Sequence, residues 1–113
     1  MPEDPDREER IEEIVVDAYD EYERSMGWYY YLGDNLQVPF PAYWRNKKVE
    51  VIGMASEGEC EADMRVEIQA LVGGEAETIS IRLEDIEPLD EVDEQTKQAV
   101  ADWHYWVEQG YEF

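Results

Sequence analysis

Between Glu57 and Asp63 the chain reads EGECEAD, with Glu57, Glu59, Glu61 and Asp63 recurring at every second residue about Gly58. In an extended segment that period projects alternate side chains to one side. Carboxylates gathered on a loop that can curl suit calcium, which takes about six to eight hard oxygen ligands; magnesium suits it less, because it keeps its waters and uses few protein carboxylates. The pattern only partly echoes an EF-hand loop, and D-x-[DN]-x-[DN]-G with its terminal Glu occurs nowhere in the chain. The same residues also suit a solvated hairpin tip.

A second oxygen-rich place is Gly33-Asp34-Asn35, inside the stretch YYYLGDNLQVPFPAYW from Tyr29 to Trp44. Asp34, Asn35 and the loop carbonyls are oxygen donors, and the aromatic flanks would hold them still, although turn chemistry alone explains Gly-Asp-Asn equally well. An upstream helix offers more acids. At about 100° per residue, Glu13, Asp17 and Asp20 fall opposite its apolar stripe, while Glu12, Glu21 and Glu23 fall at the borders. A third group, Glu84-Asp85, Glu87, Asp90-Glu91 and Asp93-Glu94, joins a strand to a helix, and helix capping accounts for part of it.

Other chemistries find little here. Cys60 is the single cysteine and His104 the single histidine, so an intrachain disulfide is excluded, a zinc cluster is unsupported, and no poised nucleophile is evident. His104 reads as a surface or interface histidine, and no enzyme activity is expected.

These groups must be positioned by ordered elements. Ile11, Ile14, Val15, Ala18, Tyr19, Tyr22 and Met26 follow i, i+3, i+4 spacing, which predicts one helix from Arg7 ending at Gly27. Gly33, Pro39 and Pro41 then predict a long ordered loop, with a short helical turn at Trp28 to Leu32. Strands are expected at Lys47–Ala55, Asp63–Val72 and Glu77–Leu83, where apolar and polar residues alternate, with Gly73-Gly74 turning the last two. Asp93 to Gly110 reads as a second helix, N-capped by Asp93 and burying Ala99, Val100, Trp103, Trp106 and Val107. The fold class is therefore α+β: helix, long aromatic loop, three-stranded antiparallel sheet resembling a partial SH3-like barrel, helix. Residues 1–5 read as a flexible N-terminus before a single domain over 6–113.

With 30 acids against 9 bases and a formal net charge of −21 over 113 residues, the chain must relieve self-repulsion by screening or bound cations. Nucleic acid is excluded as a direct partner, since no Lys/Arg stripe exists to meet phosphates, and an anionic membrane is disfavoured for the same reason. No apolar run approaches about 20 residues and no signal-peptide core follows Met1, so the expectation is a cytoplasmic monomer.

Four segments, RIEEIVVDAY (Arg10–Tyr19), GWYYYL (Gly27–Leu32), VEVIGMA (Val49–Ala55) and DWHYWVEQGYEF (Asp102–Phe113), together resemble the small acidic calcium-binding protein family first described in cyanobacteria, of CcbP type. The resemblance runs over nearly the whole chain. It implies a compact domain without EF-hands that binds calcium reversibly through surface acids, as a buffer or signal modulator. Its match covers Glu13 and Asp17 in the helix, Asp34, and the acidic loop ending Glu61-Ala62-Asp63. At Ile81–Leu83, IRL departs from a more apolar VPL, which changes no acid. The alternative reading is an acidic module that binds a basic protein or peptide, its surface reflecting salt adaptation.

Overall fold

The computed structural model describes residues 6–109 apart from 16, 17, 19, 61 and 62, with residues 71 and 72 described by their backbone. Helices α1 (Arg7–Val15) and α2 (Glu21–Asn35) precede strands β1 (Phe40–Trp44), β2 (Lys47–Met54), β3 (Arg65–Val72) and β4 (Glu75–Arg82). A 3-10 turn over Leu83–Asp85 leads to β5 (Ile86–Pro88), and α3 (Glu94–Glu108) closes the described chain.

The expected single first helix is two. Asp20 interrupts it with an extended backbone, and its Oδ1 accepts the Glu23 N–H at 2.8 Å, so it acts as the N-cap of a new helix. Gly27 is not a stop, nor is the aromatic segment a loop. Helix α2 runs through Gly33 because Ser25, Trp28 and Leu32 continue a buried stripe. That burial exceeds the roughly 1 kcal/mol that a helical glycine costs.

The sheet has five antiparallel strands in the order β4-β3-β2-β1-β5, not three strands of a partial barrel: β1 to β4 form a meander, and the chain then crosses to place β5 beside β1, so that β4 and β5 form the two edges. Strand β1 was hidden by Pro41, a residue that normally disqualifies a central strand. Here Pro41 faces Glu50 of β2, and its carbonyl accepts the Leu89 N–H at 3.2 Å. Arg45 and Asn46, both at positive φ, turn β1 into β2. Gly73 and Gly74 turn β3 into β4 as expected, again at positive φ. Val49, Val51, Val66, Ile68 and Ile81 are buried on one sheet face beneath the helices. Trp28 is fully buried at the centre of the helical layer, its ring 5.2 Å from Trp103 and 5.5 Å from Trp106.

One polar group ties all three helices together. Asp102 on α3 is completely buried, and its carboxylate accepts from Arg10 twice (Nε 2.9 Å, Nη2 2.8 Å), from Arg7 Nε at 3.0 Å and from the Tyr31 hydroxyl at 2.7 Å. Burial, and then the bond to Asp102, push the Tyr31 phenol well up, so Tyr31 stays a donor. Nearby, α1 and α2 meet at Gly27, where a Cβ would lie 2.4 Å from the Ile14 carbonyl oxygen.

Arg10→Leu leaves a buried carboxylate without its two-pronged partner and is expected to cost about 3 kcal/mol, the lower end of such losses because Arg7 remains. Asp102→Asn should cost less, about 2 kcal/mol, because the two arginines it releases can reach water. Urea unfolding tests the order, and a smaller loss for Arg10→Leu would remove Asp102 as the tie. Gly27→Ala gains about 1 kcal/mol of helix propensity. It meets backbone that no rotamer can relieve, at an overpacking cost of roughly 1–3 kcal/mol. A lower urea midpoint is expected; a raised one would show that α1 gives way freely.

Candidate metal centre

The acidic loop after β2 is built on a buried sulfur. Cys60 is fully buried; its N–H meets the Ser56 and Glu57 carbonyls, both at 3.1 Å, and its Sγ accepts the Arg65 N–H at 3.5 Å. Burial pushes the thiol up, so Cys60 is a structural peg and not a nucleophile. The peg leaves Glu57 and Glu59 exposed on the turn. Glu59 Oε2 accepts weakly from Ser56 N–H and Oγ, both at 3.4 Å. Glu61 lies outside the described residues.

Helix α2 reaches this loop through Tyr30, whose hydroxyl donates to Glu57 Oε1 at 3.1 Å. Asp34 lies four residues further along, on the same side of the helix as Tyr30 and one turn beyond it. It is exposed in the last turn of α2, not in a Gly-Asp-Asn loop. That turn contains no basic residue. A carboxylate at the negative end of a helix dipole is unfavourable, and a bound cation would reverse the sign. Asn35 is otherwise engaged: Nδ2 donates to the Tyr31 carbonyl at 2.7 Å, and Oδ1 accepts from Gln95 Nε2 at 3.1 Å.

At the far end of the loop, Asp63 is half-buried beside the strand exit, since the Leu83 N–H donates to the Met64 carbonyl at 2.9 Å. Burial and then the neighbouring Glu84 carboxylate push the Asp63 carboxyl up, against the opposing pull of Arg82 and Arg65. The fold thus brings the start of the third acidic group against the first. Arg82 holds Glu84 at 3.2 Å and Asp85 at 3.3 Å. Proximity of Glu84 to Asp63, and of Tyr30 to Glu57, was invisible in the sequence, since each pair is set by strand pairing or helix packing.

The remaining candidates are not drawn in. Glu13 is exposed on α1, an element tied to α2 and to Asp102, and Asp17 lies outside the described residues. Asp93 caps α3, accepting the Thr96 N–H at 2.9 Å and its hydroxyl at 2.8 Å, and those bonds hold its carboxyl below the usual range. His104 Nε2 lies 3.2 Å from the Leu83 carbonyl and is part-buried, not a free surface group. Among the described residues, no three His, Cys, Asp or Glu side chains are already gathered closely enough to hold a metal. The donors present are hard oxygens only, which fits calcium and not a thiolate or imidazole metal.

An antiparallel sheet under three helices, in so acidic a chain, matches a known class. The family profile Calci_bind_CcbP, described as calcium binding, covers residues 9–107, and the chain belongs to that family. It is similar to a solved calcium binding protein in its calcium-binding form, at 48% identity over 97% of this chain and 95% of that one, with a TM-score of 0.87. It is likewise similar to the crystal structure of Anabaena CcbP, at 47% identity over 100% and 98% of the two chains, with a TM-score of 0.85. No curated protein matches the chain. The family is one of calcium binding and not an enzyme family, and none of these likenesses supports the reading as a module for basic partners.

Because the Asp63 carboxyl is raised, the folded chain holds that proton more tightly than the unfolded chain. Stability from this group is present at low pH and is lost as pH rises from 3.8 through the raised value. In chelator at neutral pH, Asp63→Asn is therefore expected to raise Tm, with the gain vanishing in acid. Thermal melts across pH check this, and a lowered neutral Tm would reject the repulsion between Asp63 and Glu84.

Proposed function

We propose that this chain is a calcium buffer or signal modulator that takes up the ion where the acidic loop meets the end of α2 and the exit of β4. The observation that carries the reading is the likeness, over nearly the full length of both chains, to a protein solved in its calcium-binding form. Glu57, Glu59, Glu61 and Asp63 form the loop share of the site, with Glu84 facing Asp63 and Asp34 adding charge one turn beyond Tyr30. Asn35, Glu13 and Asp17 are weaker members, Asn35 because its side chain already has two partners. Binding works by differential charge: acids raise the local cation concentration, and the ion then cancels repulsion that the empty fold must carry. The Tyr30 hydroxyl holds Glu57 in place. No described helix is long and apolar enough to cross a membrane; a cytoplasmic, monomeric state completes the proposal.

The test is a calorimetric calcium titration of chelator-treated protein with excess magnesium, in about 0.15 M salt, where the Debye length is about 8 Å. Saturable heat at about one or two equivalents is expected. Glu57→Gln should weaken it by at least the roughly 10–100-fold that even outer partners of a metal site cost. Asp34→Asn should weaken one site while leaving the fold intact. Diffuse heat that disappears with salt would overturn the reading.

A further inference from the structure

Four of the nine basic residues of this chain are engaged by carboxylates. Arg7 and Arg10 hold Asp102, Arg82 holds Glu84 and Asp85, and Lys97 meets Glu94. Arg45, Lys47 and Lys48 pair with no described carboxylate, although acids outnumber bases 30 to 9. All three cluster at the β1–β2 turn, with the Arg45 guanidinium 4.8 Å above the Trp44 ring. Arg45 shares a hollow with Asp85 and Glu87, whereas Lys47 and Lys48 line the neighbouring cleft and call for an anionic counterpart there.

The backbone beside those lysines is also open. The β1–β2 ladder continues to Trp44↔Lys47, and the β3–β4 ladder continues to Val72↔Glu75. Between those hairpins, however, the β2–β3 ladder stops at Glu50↔Gln69. Residues 47–49 and 70–72 are thus strand on both sides of a split, each paired outward but not across it. The split forms a cleft of about 650 Å³ with a floor of Trp44, Val49, Ala70 and Ile79, and its lining carries two lysines against one glutamate, Glu50. Trp44, Ala70 and Ile79 are only half-buried there. An unpaired strand edge over an apolar floor is a template for an added strand: main-chain hydrogen bonds supply affinity, and alternate side chains supply specificity.

We propose that this cleft binds an extended acidic segment of a partner protein by strand addition, its apolar side chains on the Trp44–Ile79 floor and its carboxylates on the opposite face, toward Lys48. The site is separate from the acidic loop, and calcium is not required for it. The partner is opposite in charge to the one expected from net charge alone, because the cleft lining carries two lysines against one glutamate.

The probe is a fluorescein-labelled octapeptide alternating glutamate with valine, followed by anisotropy in chelator at about 0.15 M salt. Saturable one-to-one binding is expected, with amide shift changes at residues 47–49 and 70–72. Lys47→Glu/Lys48→Glu should weaken it at least tenfold while leaving the thermal melt unchanged, both lysines being exposed. Lys47→Ala/Lys48→Ala should weaken it less. Equal or tighter binding of a lysine–valine octapeptide, or no saturation up to about 1 mM, would overturn the proposal. So would wild-type self-association in sedimentation that charge reversal abolishes, since the cleft would then belong to a second copy. Calcium binding by the acidic loop is left standing by any of these failures.

Discussion

The buried carboxylate of Asp102 is the point from which the helical layer is organised. It accepts from α1 through Arg7 and Arg10 and from α2 through Tyr31, while itself belonging to α3. A lone buried anion would be prohibitive, so the interaction is stable only with all three helices in register. Apolar contacts around Trp28 supply the bulk of the burial, but they are directionless. The bidentate arginine pair adds orientation, fixing how α1 lies on α3. With α2 fixed in the same way, Tyr30 is presented to Glu57 and Asp34 follows one turn on.

The same chain uses carboxylates in opposite ways. Asp102 is buried and surrounded by donors, and is structural. Asp93 and Asp20 are exposed and engaged by helix N–H groups, and are caps. Asp63 is half-buried beside a like charge, and both burial and Glu84 push its carboxyl up. Among thirty acids, environment and not residue type separates scaffold from site. The cleft lined by Lys47 and Lys48 shows the converse. Net charge describes the average field, whereas binding surfaces are governed by charges within about one Debye length.

Much of the secondary structure was legible because periodicity survives wherever one face is buried. The Asp93 cap, the α3 stripe, the Gly73-Gly74 turn and the three long strands were all readable on that basis. What escaped was local chemistry overridden by tertiary burial. Gly33 reads as a breaker but is carried through by Trp28 and Leu32. Pro41 reads as a loop but sits in β1, and β5 is too short for any pattern to show. Asp20 looked like one more exposed acid on a long helix, because capping and solvation draw on the same residue types.

By itself the sequence determined that the protein is a folded, acidic α+β domain with hard-oxygen donors, and carried its resemblance to the calcium-binding family. Composition and spacing are local quantities, and both resist rearrangement. Only the tertiary structure decided which carboxylates meet. Asp63 lies within the field of Glu84 because the Leu83 N–H bonds the Met64 carbonyl, Glu57 is held by the Tyr30 hydroxyl of α2, and Asp102 is enclosed because three helices converge. Each of these relates residues more than twenty positions apart, and chain closure over such distances is set by packing, which no local pattern encodes.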